Sequence, residues 1–106
     1  MLLLIRDEDI STLTHAGLTL LQAKIYLTLA LYDKQTIKLI AKAAKVDRAN
    51  VYREILNLQK IGLVKKIISS PNIFEAIPVK DGITILLQRK EEDFEKISKE
   101  TKKLAK

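Results

Sequence analysis

Residues 45–66, KVDRANVYREILNLQKIGLVKK, carry two superimposed patterns that decide the fold. Apolar residues recur at helical spacing through Val51, Ile55 and Leu58, so one face of this stretch is suited to a hydrophobic core. The opposite face is polar and rich in cations. The stretch therefore predicts an amphipathic helix over residues 47–60, with one buried face and one face that is open to solvent or to a partner.

A shorter helix precedes this one, and the two form a helix-turn-helix. Thr36 is a predicted N-cap, and in the following run, IKLIAKAAK, Lys38 and Lys42 are predicted to face outward. Asp47 is the predicted N-cap of the second helix, with its carboxylate accepting a backbone hydrogen bond, and Gly62 is placed to end that helix. Only a short turn, around residues 45–46, separates the two helices, which is the spacing of a helix-turn-helix.

Two further helices are predicted before the helix-turn-helix. Acidic residues that are followed by a glycine indicate a short helix over about residues 8–15. Thr19 and Gln22 have the spacing of a capping box, which predicts the start of a longer helix over residues 20–32. The sparse polar face of that longer helix indicates that it is buried on several sides.

A β-hairpin and a long helix are predicted after Gly62, where the hydrophobic period changes. LVKKIIS and IFEAI are rich in β-branched residues and flank the turn sequence at residues 70–72. Pro78 ends the second strand because proline cannot donate a hydrogen bond to a sheet. A charged helix from about residue 81 to residue 106 completes an α+β, mostly α fold: a winged helix-turn-helix with a β-hairpin wing and a long C-terminal helix.

We assign residues 1–80 to a winged helix-turn-helix DNA-binding domain and residues 81–106 to a C-terminal dimerisation helix. Apolar residues alternate by four and three along that helix, although Lys90 and Thr101 interrupt the pattern. Three heptads are few, so a short antiparallel or mixed helix pairing stays open beside a coiled coil. The predicted dimer-interface residues are Ile83, Leu87, Phe94, Ile97 and Leu104.

Composition excludes several classes of function. The chain has no cysteine, which excludes disulfides and thiolate metal sites, and its one histidine, His15, cannot build a zinc site alone. No glycine-rich phosphate loop and no nucleophile with a nearby histidine is recognisable, so we expect no enzyme activity and no cofactor. The apolar start, MLLLI, is too short for a membrane span, and we expect a cytoplasmic protein.

The charge of the chain is concentrated in the helix-turn-helix. The net charge is +6 over 106 residues, and residues 45–66 hold six Lys or Arg against two Asp or Glu, a local charge of +4. A local basic patch is the electrostatic footprint of a polyanion-binding surface. The charge distribution by itself therefore favours a polyanion partner without identifying it.

The helix over residues 47–60, the second of the helix-turn-helix, is the predicted recognition helix, and its polar face carries side chains that can read bases. Arginine can donate two hydrogen bonds to guanine and asparagine can pair with adenine, and the first part of such a helix enters the major groove. An ordinary solvated helix face is the alternative interpretation. The candidate DNA-binding residues are Arg48, Ala49, Asn50, Tyr52, Arg53, Asn57 and Lys60 on the helix, with Lys65 and Lys66 on the first wing strand.

These segments resemble the DNA-binding domain of the TrmB family of archaeal transcriptional regulators. The resemblance is carried by LTLLQAKIYLTLA, by AKAAKVDRANVYREILNLQKIGLVKK and by FEAIP. The residues that match the family pattern are Ala23, Lys24, Tyr26, Leu29, Arg48, Val51, Tyr52, Ile55, Leu58, Gly62, Leu63, Val64, Phe74, Ala76 and Pro78. The resemblance implies DNA binding and dimerisation. Sugar sensing is not implied and no small-molecule effector is evident, because the large effector domain of the sugar-sensing members has no counterpart in these residues.

The leading hypothesis is a homodimeric, sequence-specific regulator that places residues 47–60 in the major groove of double-stranded DNA. Two alternatives stay open. The fold also serves as a protein-interaction module, and it can bind DNA architecturally without reading bases. The dependence of binding on salt and on DNA sequence distinguishes the three hypotheses.

Overall fold

The computed structural model describes residues 5–105, which form five helices and one two-stranded hairpin. Residues 1–4 of the predicted DNA-binding domain and residue 106 of the predicted dimerisation helix lie outside that range. The fold is a mostly α winged helix-turn-helix, as predicted. The elements are α1 (Asp7–His15), α2 (Leu20–Tyr32), α3 (Ile37–Ala44), α4 (Arg48–Ile61), β1 (Val64–Ile67), β2 (Ile73–Ala76) and α5 (Val79–Leu104).

Short polar side chains start the helices where the sequence predicts them. The Gln22 backbone N–H donates to the Thr19 hydroxyl at 3.1 Å, and the Thr19 N–H donates to the Gln22 side chain at 3.0 Å, which completes the capping box of α2. The Thr36 hydroxyl accepts from the Leu39 N–H at the start of α3. Asp47 occupies the N-cap of α4, but the predicted capping bond of its side chain is wrong. The Asp47 carboxylate is exposed, so water can solvate it instead.

The core gathers apolar side chains from all five helices and from the hairpin. The predicted stripe on α4 is fully buried, since Val51, Ile55 and Leu58 are each 0% exposed. That burial fixes the rotation of α4 and directs its opposite face outward. The other buried apolar residues are Leu13, Leu18, Ala23, Ile25, Tyr26, Leu29, Ile40, Ala41, Ala44, Leu63, Val64, Phe74 and Leu86.

A short backbone pairing that has no signal in the sequence joins the hairpin to the segment before α3. β1 and β2 are antiparallel, with Val64 opposite Ala76. Gln35, just before α3, adds an isolated bridge: its N–H donates to the Phe74 carbonyl at 3.0 Å and its carbonyl accepts from the Phe74 N–H at 2.7 Å. The wing is therefore tied to the start of the helix-turn-helix through main-chain bonds.

The turn between α3 and α4 uses a lysine where a glycine is more usual. Lys45 adopts a left-handed conformation with φ 58° and ψ 46°. The next N–H, of Val46, donates to the Ala41 carbonyl at 3.1 Å and closes α3. The turn therefore sets the crossing of the two helices at the cost of an unfavourable backbone conformation.

The first turns of α5 pack on the core around a glycine. Gly82 and Leu86 are buried, and the hydroxyl of buried Tyr26 lies beside Gly82 while donating to the Ile77 carbonyl at 2.8 Å. Burial raises the pKa of Tyr26 to about 12, and the Asp81 carboxylate adds to that shift. α5 begins two residues before the predicted start, with Pro78 as its N-cap.

The rest of α5 leaves the body of the protein. Residues 87–104 are exposed apart from half-buried Ser98. The molecule measures 56 × 30 × 24 Å, and its radius of gyration is 15.8 Å, against about 13 Å for a compact chain of this length. Between residues 5 and 105, no helix has both the length and the apolar character needed to cross a membrane.

Candidate nucleic-acid interface

The outward face of α4 presents most of the predicted DNA-binding residues together. Arg48, Ala49, Arg53 and Lys60 are exposed, and Tyr52 is 55% exposed although it neighbours the buried stripe. The asparagines on this helix differ from the cations, because both are half-buried. The outward face of α4 thus exposes its cations, whereas the side chains of Asn50 and Asn57 are partly covered by their neighbours.

Two of the predicted base-reading residues are bonded to each other. The Arg53 guanidinium donates to the Asn50 side-chain carbonyl, one helical turn away. The bond uses one of the five guanidinium N–H groups and the Asn50 acceptor, and the Asn50 amide can still donate. The pair therefore holds Arg53 near the N-terminal half of α4, with donors left for a ligand.

Asn57 is held inside a separate network that joins α4 to α2. The Glu54 carboxylate, 14% exposed, accepts from the Asn57 amide at 3.0 Å and from the Gln22 amide at 3.1 Å. Arg53 Nε lies 3.8 Å from the second Glu54 oxygen. The Asn57 amide is thus engaged within the protein in this structure, and the carboxylate that holds it also lies close to the Arg53 guanidinium.

A cleft of about 410 Å³ lies between the recognition helix, the start of α3 and the tip of the wing. Arg48 and Tyr52 border it on the side of α4, and Pro71 and Asn72 border it on the side of the wing. The remaining lining residues are Thr36, Ile37, Lys38 and Phe74. Lys38 is a cation that the sequence identified only as outward-facing. Its nearness to Arg48 depends on the crossing of α3 over α4, which no local pattern specifies.

The two wing lysines point to opposite faces of the hairpin. They are consecutive residues of β1, and successive side chains of a strand alternate between faces. Lys66 is opposite Phe74 and shares the face that borders the cleft. Lys65 is opposite Glu75, whose carboxylate lies 4.0 Å from the Lys34 ammonium. Lys66 therefore lies on the cleft side of the hairpin, and Lys65 lies on the other side.

The family whose model matches this chain is described as "Sugar-specific transcriptional regulator TrmB", and the match covers residues 13–80. It spans α2, the helix-turn-helix and the hairpin, and it ends at the start of α5. No curated protein sequence gives a significant match.

Solved structures with the same fold include regulators and a chromatin protein. TrmBL2, described as an archaeal chromatin protein that shows a novel mode of DNA binding, aligns with a TM-score of 0.82 and 20% identity over 95% of this chain and 39% of its own. A possible transcriptional regulator from Methanosarcina mazei Go1 aligns with a TM-score of 0.66 and 13% identity over 93% and 88%. A MarR-family regulator from Silicibacter pomeroyi aligns with a TM-score of 0.59 and 18% identity over 82% and 64%.

Because all three identities are low, these likenesses establish the winged-helix fold and nothing beyond it. The chain spans about two fifths of the length of TrmBL2, so the activity of that whole protein is a separate question. The family match over residues 13–80 includes the helix-turn-helix and therefore the basic face of α4.

Proposed function

The chain belongs to the TrmB family of transcriptional regulators, and from that premise we propose that it is a sequence-specific double-stranded DNA-binding regulator that acts as a homodimer. The observation that carries this proposal is the rotation of α4. Its buried stripe turns Arg48, Asn50 and Arg53 to the outer side of the second helix of a helix-turn-helix. This is the element, and the end of it, that enters the major groove in such motifs.

Arg53 is the leading candidate for reading a base. Its guanidinium is restrained by Asn50 and by Glu54, so less side-chain freedom is lost when it binds. A restrained guanidinium that keeps further donors suits the two acceptors on the edge of guanine. The Asn50 amide lies beside it and can donate to a neighbouring base.

The cations around the cleft suit the sugar-phosphate backbone instead. Lys38 and Arg48 line the cleft, and Lys66 is on the hairpin face that borders it. Phosphate contacts fix the position of a protein on DNA without reading the sequence. We therefore assign backbone contacts to this cation group and base contacts to the Asn50–Arg53 pair.

The homodimer is proposed from the unpartnered face of α5. Leu87, Phe94, Ile97 and Leu104 are 59%, 72%, 57% and 85% exposed. An apolar row of this length on a projecting helix is unfavourable in water and suits a second helix. Residues 81–106 therefore remain the proposed dimerisation segment, with their first turns shared with the body.

Selection from a random double-stranded DNA library, sequenced at two salt concentrations, tests the proposal. We expect enrichment of a motif with two half-sites. Arg53→Ala should relax the preference at one base pair by about 1–3 kcal/mol. Arg89→Ala, which removes the same charge from exposed α5, is the matched control and should leave every preference unchanged. Arg48→Ala, which removes a proposed backbone contact, should weaken binding to all sequences alike. An unchanged preference in Arg53→Ala would refute base reading by this residue.

A second candidate function is architectural DNA binding without a preferred sequence. It is favoured by the likeness to TrmBL2, which is described as a chromatin protein. The same selection separates the two: salt-sensitive retention without a motif indicates the architectural function. No retention at either salt concentration would rule out both and indicate a protein-docking module.

A further inference from the structure

The exposed row on α5 is almost symmetric about its own centre. In the heptad pattern, the row runs through Leu87, Lys90, Phe94, Ile97, Thr101 and Leu104. When this order is reversed, leucine meets leucine, lysine meets threonine and phenylalanine meets isoleucine. Such a row is complementary to a second copy of itself that runs in the opposite direction.

We propose that two copies of α5 pair antiparallel about an axis that passes between Glu95 and Lys96. This inference rests on the proposed homodimer and adds its geometry. Phe94 of each copy packs against Ile97 of the second copy, and Leu87 packs against Leu104. The layer between them brings Lys90 of one copy against Thr101 of the other.

The register follows from matching apolar residues. A shift of one heptad in one direction places Phe94 against Lys90. A shift in the other direction pairs Ile97 with Thr101 and leaves Leu87 without an apolar residue of α5 opposite it. Burying a cation or exposing a leucine is unfavourable in either case. The proposed register covers all four apolar residues at once.

The charges of α5 select the antiparallel direction over the parallel one. Residues 91–95 hold four acids, and residues 96–103 hold four lysines and one glutamate. A parallel pair sets the acidic segments side by side and sets Lys90 against Lys90. The antiparallel pair sets each acidic segment against residues 96–100 of the second copy, which contain two lysines and Glu100. Lys90 then lies between Asp93 of its own helix and the Glu100 of the second copy.

The body of the protein also favours the antiparallel direction. A Cβ built on Gly17 would lie 3.3 Å from Lys90 Cε, so the turn between α1 and α2 contacts the row at this level. A parallel partner would bring its own bulky body to the same level. An antiparallel partner brings only its slender C-terminal turns. Ile83, a predicted interface residue, instead borders a groove of its own body with Leu13 and Leu27.

The pairing sets the distance between the two DNA-binding bodies. Each body is attached to α5 around the buried residues Gly82 and Leu86, whose midpoint lies between 11 and 12 residues from the proposed axis. At a helical rise of 1.5 Å per residue, the two attachments are about 34 Å apart along α5. One turn of DNA separates half-sites by about 34–36 Å. The C-terminal helix thus acts as a spacer that matches one turn.

Disulfide trapping tests the register directly, since the chain contains no native cysteine. Leu87→Cys and Leu104→Cys are made in separate copies of the full chain with different tags and are co-expressed. Mild oxidation should trap a mixed disulfide dimer, because the two side chains face each other. Leu87→Cys alone should give no disulfide dimer, because its two copies would lie about 25 Å apart along the pair.

A control variant and three contrary results separate the register, the direction and the existence of the dimer. Gln88→Cys, one residue away from the row, replaces Leu87→Cys as the matched control and should not be trapped with Leu104→Cys. A disulfide dimer of Leu87→Cys alone would overturn the antiparallel direction while leaving the homodimer intact. Failure of the mixed pair in a protein that light scattering shows to be dimeric would overturn the register. A monomeric wild-type chain would instead refute the proposed homodimer itself.

Discussion

Replacing Gly82 by alanine should destabilise this protein, although the helix rules predict the opposite. Gly82 lies within α5, where alanine is favoured over glycine by about 1 kcal/mol. However, a Cβ at this position would lie 2.5 Å from the Tyr26 hydroxyl oxygen and 3.2 Å from both Leu63 Cδ2 and Tyr26 Cζ. The first distance is far inside van der Waals contact, so either the tyrosine or the helix must move.

The magnitude follows from what that movement breaks. Tyr26 is 1% exposed, and its hydroxyl donates to the Ile77 carbonyl at 2.8 Å. Overpacking a core costs about 1–3 kcal/mol, and loss of a buried hydrogen bond that leaves its partner unsatisfied costs about 1–3 kcal/mol. After subtraction of the gain in helix propensity, about 1 kcal/mol, we expect Gly82→Ala to lower the free energy of unfolding by about 1–5 kcal/mol.

Urea denaturation followed by circular dichroism at 222 nm measures the effect, with a double-mutant cycle as the control. In a Tyr26→Phe background the closest contact disappears and only the 3.2 Å contacts remain. Gly82→Ala should therefore cost at least about 1 kcal/mol less in that background than in the wild type. A Gly82→Ala protein as stable as the wild type, or more stable, would refute the close packing of α5 on Tyr26.

Three further predictions concern single side chains. The pKa of Tyr26 is raised to about 12, above the ordinary value of about 10, so between these two pH values the folded protein keeps a proton that the unfolded chain loses. The free energy of unfolding should therefore fall by about 1.4 kcal/mol per pH unit between pH 10 and pH 12. Tyr26→Phe, compared by urea denaturation at pH 9 and at pH 11.5, should lack this loss, and an equal loss in both proteins would contradict the assignment. Lys45→Gly should raise the free energy of unfolding by about 1 kcal/mol, because glycine adopts φ 58° without strain; a lower urea midpoint would show that the lysine side chain contributes more than its backbone costs. Leu87→Glu should give folded monomers in light scattering with weaker DNA binding, whereas a variant that stays dimeric would remove the row on α5 from the interface.

Most elements whose chemistry is local could be predicted from the sequence, the side-chain bond of Asp47 being an exception, and elements that depend on distant partners could not. The caps at Thr19 and Thr36 and the stop at Gly62 act on backbone groups within four residues, so the residues themselves specify them. The pairing of Gln35 with Phe74 joins residues 39 positions apart and follows from how α2 and the hairpin pack. Gly82 shows the same limit: within its helix it is a weak residue, and only the approach of Tyr26 explains it.

The candidate interface divides along the same line. The outward face of α4 was predictable, because burial of three residues at helical spacing fixes where every other side chain of that helix points. The alternation of Lys65 and Lys66 was also readable, since it needs only the two-residue period of a strand. The full set of partners of Glu54 was not predictable, because Gln22 joins Asn57 and Arg53 around this carboxylate only once α2 and α4 are packed together.

The contacts of Glu54 affect how Arg53 is presented to DNA. In the folded protein the Arg53 guanidinium donates to the Asn50 carbonyl and lies 3.8 Å from the Glu54 carboxylate, so it has two fixed neighbours before any ligand arrives. Gln22 of α2 donates to the same carboxylate, so the position of Arg53 depends on how the recognition helix sits on α2. A base contact from Arg53 would therefore be set by the packing of two helices as well as by the residue itself. Gln22→Ala should weaken the preference that depends on Arg53 in the same DNA selection, although Gln22 lies on α2, outside the proposed contact, and an unchanged preference would contradict this dependence.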